Sequence, residues 1–266
     1  MEIMGYLASV LIGISLGLIG GGGSILTVPV LVYLFGESPE VSTAYSLFIV
    51  GATSLVGGVR NASLGYVDYK IGLVFAIPAI IAVYLTRAYL VPSIPLEIVR
   101  FGSFSLTKDV AIMLFFALIM LAASVSMIRN TKHSKRRNTG AVTKFNIIGI
   151  LAEGSVVGVL TGIVGAGGGF LIIPALVLFA KLPMKKAIGT SLLIIALKSL
   201  IGFTGDLQRN DLAIDWILLL SVTSFAVVGI FVGIYLAKFI NGDSLKKGFG
   251  WFVLLMAAYI IFKQIG

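Results

Sequence analysis

The chain reads as long apolar runs separated by short polar stretches. The runs lie near 3–35, 41–59, 69–91, 108–128, 145–180, 185–205, 213–238 and 248–265. A helix crossing a hydrocarbon core about 30 Å thick takes roughly 20 apolar residues. Six of the runs have that length, but the first and fifth are too long, at 33 and 36 residues. Both are interrupted, by Gly20-Gly21-Gly22-Gly23 and by Gly165-Ala166-Gly167-Gly168-Gly169. Each glycine costs a helix about 1 kcal/mol relative to alanine. The pattern therefore predicts two helical arms joined by an unwound stretch in each long run.

The two interruptions are related. A shift of 145 residues lays Gly17–Gly23 onto Gly162–Gly168, Pro29 onto Pro174, Ser46-Leu47 onto Ser191-Leu192, and Ser54-Leu55 onto Ser199-Leu200. No gap is needed. Composition bias can match glycines and leucines, but not a proline pair, two serine pairs and a loop length together. The chain divides into repeat one (1–128), a basic linker (129–144) and repeat two (145–266).

Charge decides how the repeats are oriented. If each broken run crosses once, Lys and Arg outside the spans divide 10 to 9 between the two sides. If each is a hairpin returning to its starting side, they divide 14 to 5, with the linker on the rich side. Cytoplasmic loops carry the excess of Lys and Arg, so hairpins are favoured. The expectation is an all-α integral membrane protein of two inverted repeats, each a broken-helix hairpin plus three transmembrane helices. It is a multi-pass protein of the cell membrane, with 129–144 cytoplasmic and both termini outside. Inverted repeats with discontinuous helices are a recurring plan of secondary transporters. Residues 1–19 lack the basic start of a signal peptide and open repeat one.

Composition agrees. Of 266 residues, 58% are hydrophobic and 12% charged, with mean hydropathy +1.08. Soluble domains carry about twice that share of charge, so a soluble enzyme and a disordered chain are both excluded. The net charge of +9 bears on membrane orientation and not on nucleic acid. There is no cysteine and one histidine, His133, in the linker. No metal cluster, cofactor motif, Ser/His pair or P-loop is present, and no enzymatic role is expected.

Unwound backbone at membrane depth must line a protein-enclosed or watery cavity. In the hairpin arrangement the arms near 24–35 and 170–180 begin at the breaks, so two helix starts converge near the midplane. Their free N–H groups and partial positive charge suit an oxyanion. The candidate binding residues are Gly20, Gly21, Gly22, Gly23 and Ser24 from the first break, and Gly165, Gly167, Gly168 and Gly169 from the second. Close packing or a hinge is the alternative use of both clusters. Gly13/Gly17, Gly158/Gly162 and Gly229/Gly233 have the spacing of helix contacts.

Lys198 lies about twelve residues inside the sixth run, aligned with Thr53 of repeat one, with Ser191 on the same helical face. Either it supplies the full charge that helix dipoles lack or it snorkels outward. Ser46 and Ser191 are the aligned serines of the two second segments. Ser42, Thr43, Ser46 and Thr53 give that segment in repeat one a polar edge. Glu153 is a proton-coupling candidate, or a partner of Lys198, or a protonated and hydrogen-bonded acid. Arg87, with Tyr84 and Tyr89, reads as an interfacial anchor.

The doubled motif, Gly17 to Pro29 with Ser46-Leu47 and Gly162 to Pro174 with Gly189-Thr190-Ser191-Leu192, resembles the TauE/SafE sulfite exporter family, also called the toluene sulfonate uptake permeases. Tyr45 stands where Thr190 does, a departure from the usual Thr-Ser-Leu. The resemblance implies a multi-pass permease for sulfur-containing anions, often an exporter. The expectation is a secondary transporter of sulfite or an organosulfonate working by alternating access. An anion channel and a membrane subunit of a larger transport complex are the alternatives. The implied partners are a small anion, the lipid bilayer and possible further copies of the chain.

Overall fold

The computed structural model describes residues 2–101, 104–129, 147–178, 180, 182–209, 212, 214–237, 239 and 242–265. The basic linker beyond Arg129, with His133, lies outside them, as do positions 145, 146, 179, 213 and 238 at the ends of predicted runs.

Every predicted run contains helix. Helix α1 (Glu2–Ile19) ends where Gly20 takes φ +74°, in the left-handed region that glycine enters without Cβ strain. A 3-10 turn (Gly21–Leu26), α2 (Thr27–Val30) and a π turn (Leu31–Phe35) follow, stopped by Gly36 at φ +80°. This second arm runs back along the first. Gly23 lies against Ser15 and Leu16, and Phe35 lies against Gly5 and the ring of Tyr6, with centroids 5.4 Å apart.

Helix α3 (Pro39–Ser63) starts on Ser38, whose hydroxyl accepts from the Val41 N–H, with proline at the first helical position. Helix α4 (Tyr69–Leu85) starts on Asp68 in the same way and runs through a π turn (Thr86–Leu90) into α5 (Val91–Ser93). A short antiparallel pair, β1 (Glu97–Phe101) and β2 (Phe104–Thr107), leads to α6 (Lys108–Arg129). The apolar-run reading missed these strands because Glu97-Ile98-Val99-Arg100-Phe101 mixes β-branched and charged residues, too short and too polar to register as a span.

The second half comprises α7 (Ile147–Val164), a glycine turn, α8 (Gly169–Leu178), α9 (Met184–Leu207), α10 (Trp216–Leu236) and α11 (Gly242–Ile265). Among the described residues, five stretches are long and apolar enough to cross a membrane: Pro39–Ser63, Tyr69–Ser93, Lys108–Val125, Met184–Leu207 and Trp216–Leu236. Shorter apolar helices fill the rest. Large apolar side chains such as Ile3, Leu11, Leu73, Ile81, Trp251 and Phe262 stand exposed. In water these would form an aggregating surface; against lipid tails they are the expected exterior. The chain is an all-α integral membrane protein.

Glycine sets the closest helix contacts. A Cβ at Gly13 or Gly17 would stand within 2.5 Å of the Ala226 or Ile230 carbonyl oxygen, and one at Gly229 or Gly233 within 2.2 Å of those of Val10 or Ile14. These contacts pack α1 alongside α10, running parallel. Gly154, Gly158 and Gly162 of α7 meet Phe75, Ala79 and Thr86 in the same parallel sense along α4 and its π turn. Helices α3 and α9 cross antiparallel, with Gly51 at Leu200 and Gly58 at Leu193. Under the shift of 145, α1 on α10 becomes α7 on α4, and α3 on α9 maps onto itself.

A second exchange ties the halves. The Asp68 N–H donates to the Thr190 hydroxyl at 2.9 Å, and the Asp215 N–H donates to the Tyr45 hydroxyl. Tyr45 and Thr190 are the aligned, unlike residues, and each holds the aspartate that caps the third segment of the other half. The tyrosine thus performs the same structural task.

Candidate functional site

The two breaks meet. A Cβ added to Gly21 would stand 2.1 Å from the Gly169 Cα, and one added to Gly169 would stand 2.0 Å from the Gly21 Cα. No side chain fits at either position, so backbone faces backbone. Gly20 lies beside Ser191, whose Oγ would be 3.3 Å from its Cβ; Gly167 lies beside Ser24 and Val50. Gly165 sits on the Thr43 backbone of α3.

The second break is the less helical of the two, and it is as closely packed as the first. Gly165, Gly167 and Gly168 all have positive φ, at 72°, 62° and 59°. Gly165 N–H donates to the Thr161 carbonyl at 2.8 Å, and the Leu171 and Ile172 N–H groups turn back to the Gly168 carbonyl. Gly169 and Phe170, at the start of α8, have no carbonyl one turn earlier within their own helix to bond.

Lys198 reaches this turn. Its side chain is fully buried, and its ammonium would stand 3.0 Å from a Cβ on Gly168. Nζ donates to the Thr161 hydroxyl at 2.8 Å. Thr161 in turn donates to the Val157 carbonyl. No carboxylate bonds the ammonium among the described residues. Lys198 therefore does not snorkel; it points into the protein beside the second break. A buried ammonium with one neutral partner leaves most of its desolvation cost uncompensated, which an anion at the break would offset.

The hydroxyls fall into two groups. Ser24 Oγ donates to the Gly21 carbonyl at 2.7 Å and Ser191 Oγ to the Ile188 carbonyl at 2.8 Å, so both protons are committed to their own backbone. Thr43 does likewise toward Glu40. Ser46, Thr53, Ser54 and Ser199 are buried with no hydrogen-bond partner among the described residues. They lie on α3 and α9 at aligned positions, Thr53 where Lys198 is and Ser54 where Ser199 is.

Three candidates stand apart. Gly23 packs on the first arm of its own hairpin, at Ser15 and Leu16. Gly22 lies within the 3-10 turn. Glu153 is on α7, eight residues before Thr161 and so about 12 Å along the helix from it. The Lys198 ammonium bonds Thr161, and Glu153 Oε2 is buried without a hydrogen-bond partner among the described residues. The pairing of Glu153 with Lys198 is not formed. Two surface hollows, of about 730 and 270 Å³, are lined by α4 with α7 and by α4 with α9, away from the breaks.

Arg87 is the residue that sequence reasoning placed wrongly. It is fully buried among the helices, with Nη1 3.5 Å from Asp206 Oδ1, and does not reach outward as an anchor would. The buried stripe of α4 runs through Phe75, Ala79 and Val83. Arg87 is the next position four residues on, and that spacing was the available signal. Nearby, Glu40 bonds Lys108 at 2.8 Å and Arg209 at 2.6 Å.

The family described as Sulfite exporter TauE/SafE matches residues 6–260. A "Probable membrane transporter protein" of Xylella fastidiosa is 30% identical over 264 residues, spanning 96% of this chain and 92% of its own. "Probable membrane transporter protein YunE" of Bacillus subtilis is 29% identical over 85% of this chain and 86% of its own. "Probable membrane transporter protein MJ0441" of Methanocaldococcus jannaschii is 27% identical over 75% and 70%. No solved structure gives a significant match. With its doubled glycine breaks and apolar exterior, the chain belongs to the TauE/SafE sulfite exporter family and is a multi-pass membrane transporter.

Proposed function

We propose that the chain is a secondary transporter that exports a small sulfur-containing oxyanion, sulfite or an organosulfonate, by alternating access of two inverted halves about the paired breaks. The observation that carries this reading is the fully buried Lys198 ammonium, bonded to Thr161 and to no carboxylate among the described residues, beside the glycine turn of the second break. The Lys198 amine, whose protonated form a bound anion favours, with the N-terminus of α8 and backbone N–H groups in a place that excludes water, makes an oxyanion receptor. The proposed binding set is Gly20, Gly21, Ser24, Ser46, Gly165, Gly167, Gly168, Gly169, Ser191 and Lys198, with Lys198 supplying the charge and Gly22 and Gly23 shaping the first break from within its turn.

Support for the inversion comes from pairings across the halves. Arg87 with Asp206, Glu40 with Arg209 and Asp68 with Thr190 are each brought to one side when the broken runs are hairpins, and to opposite sides when they cross once. The first run folding back from Gly5 to Phe35 agrees. The positive-inside count then puts both termini outside and the linker in the cytoplasm of a cell-membrane protein. The backbones of Gly21 and Gly169 touch, with no room for a side chain between the breaks, which supports a transporter with a closed state over a permanently open pore.

Glu153, half-buried on α7 with one oxygen unpartnered among the described residues, is the group proposed to carry a coupling proton. The test is flux in proteoliposomes. Saturable sulfite or sulfonate export at slow turnover, with Glu153→Gln flattening its pH dependence, is expected. Channel-like currents or absence of any anion flux would overturn the transport reading. An unaltered pH profile in Glu153→Gln would remove the coupling role alone.

A further inference from the structure

Arg87 is the largest fully buried side chain among the described residues and takes no part in the site at the breaks. It lies on the π turn Thr86–Leu90, a local widening of the helix that recurs at functional sites. Gly205 of α9 makes room for it: a Cβ there would stand 3.1 Å from the Arg87 Cβ. The guanidinium has five donors in a rigid fork. Nη1 faces Asp206 Oδ1 at 3.5 Å, the outer limit of a hydrogen bond. Nε and Nη2 are buried with no partner among the described residues.

This edge is unusual on energetic grounds. Buried donors are nearly always paired, and leaving one unpaired costs about 1–3 kcal/mol, more when it is charged. The neighbouring carboxylate, Glu40, is held by Lys108 and Arg209. The Nε–Nη2 edge presents two parallel N–H groups, the geometry that accepts two oxygens of one oxyanion. Asp206 approaches through the other nitrogen, so it balances charge without occupying that edge.

The position links it to the breaks. Asp206 is eight residues beyond Lys198 on α9, about 12 Å along the helix. Between them Gly202 and Gly205 withdraw side chains from that side of α9, against Val83 and Arg87.

We propose that the Nε–Nη2 edge of Arg87 is a second oxyanion station, about 12 Å from Lys198 along α9, taking a ligand that offers two oxygens to one planar guanidinium: a sulfite, a sulfonate or a carboxylate. It rests on the reading of Lys198 as the charge of the first station. Export then moves the anion from one buried cation to the other, and Asp206 holds the vacant arginine between cycles.

The test uses the purified full chain in detergent and equilibrium dialysis of radiolabelled sulfite. Wild type is expected to bind two sulfites per chain, and Lys198→Ala one. Arg87→Gln with Asp206→Asn, which removes both charges together, is expected to bind one. Arg87→Lys keeps the charge but loses the fork, and is expected to weaken one of the two sites at least tenfold. A single sulfite per wild-type chain, abolished by Lys198→Ala, overturns the second station and leaves the first standing. Two sulfites with unchanged affinity in Arg87→Lys also overturn it. No sulfite bound by wild type overturns both stations. Should the double variant elute as aggregate, the wild-type count and Arg87→Lys still decide.

Discussion

The two breaks occupy aligned places in the sequence and do different things in the structure. Both begin with a left-handed glycine, Gly20 at φ +74° and Gly165 at φ +72°. After Gly20 the chain re-enters helix at once, as a 3-10 turn whose Ser24 bonds back to Gly21. After Gly165 two further glycines stay left-handed, and helix does not resume until Gly169. The buried charge is equally one-sided. Lys198 reaches the second break, whereas its counterpart Thr53 is a buried hydroxyl with no hydrogen-bond partner among the described residues. The aligned glycines therefore mark where both backbone breaks fall, while a single unlike pair, Lys198 and Thr53, sets which break has a buried charge beside it. The first break works as a wedge against which the second is held.

The wedge gives the largest expected effect. With the Gly21 and Gly169 backbones in contact, a leucine at Gly21 has to drive the halves apart. Overpacking of this kind costs about 1–3 kcal/mol or more. Gly21→Leu is expected to abolish sulfite transport and to lower the melting temperature in detergent, while Gly248→Ala, at a helical position with open space around it, changes transport little. Wild-type flux through Gly21→Leu would show that the breaks do not need to touch.

The charge comes next. Lys198→Ala is expected to weaken sulfite binding at least tenfold, about 1.4 kcal/mol, measured by dialysis. Placing the lysine in the other half, Lys198→Thr with Thr53→Lys, tests whether the asymmetry is chemical or positional. Restored binding would mean that either break can hold the anion. Continued loss would mean that the left-handed turn at Gly167 and Gly168 is needed as well, and this is the expected outcome.

How far these features were legible in the sequence differs between backbone and side chains. The breaks, the spans and the aligned serines follow from glycine spacing and apolar run length, which are local properties, and the structure has helix in all eight runs. Local signals do not say what a side chain meets across the bundle. Lys198 was open between pathway and snorkelling because its depth is readable from span length but its direction is not. Arg87 was misplaced because two nearby tyrosines suggested an interface, although its four-residue spacing from Val83 put it on the buried face. Tyr45 looked like a departure from a motif, and only the fold reveals that its hydroxyl and that of Thr190 do the same work from opposite halves.

Those cross-bonds set a smaller test of symmetry. Tyr45→Phe and Thr190→Val each remove an acceptor for a capping aspartate N–H. Each is expected to cost about 1 kcal/mol, read from thermal melts. The bonds anchor different helices, so the double variant is expected to lose the sum. A double variant no worse than either single one would indicate that one tie alone holds the halves together.

The smallest effect concerns the loops where the returning arms end. The Glu37 N–H donates to the Leu31 carbonyl at 3.1 Å, and the Leu182 N–H to the Leu176 carbonyl at 3.0 Å, so the same closure recurs 145 residues on. One carries a carboxylate and the other a buried leucine. Burial, with the nearby Asp215 charge adding to it, raises the Glu37 pKa above the ordinary value for glutamate. A carboxyl whose folded pKa is raised holds its proton more tightly in the folded state. Its contribution to stability is full below the unfolded pKa and is lost as pH rises through the folded one. At neutral pH the ionised Glu37 is therefore a cost that Leu182 does not bear. Glu37→Gln is expected to raise the melting temperature slightly at pH 7.5, by a few tenths of a kcal/mol once solvent screening at this partly exposed site is counted. The gain should shrink toward zero at pH 4, where glutamate is protonated in the fold. A gain that is instead larger at pH 4 than at pH 7.5 would mean that the carboxylate is stabilised where it stands, and the two arm ends would then differ in more than the charge they carry.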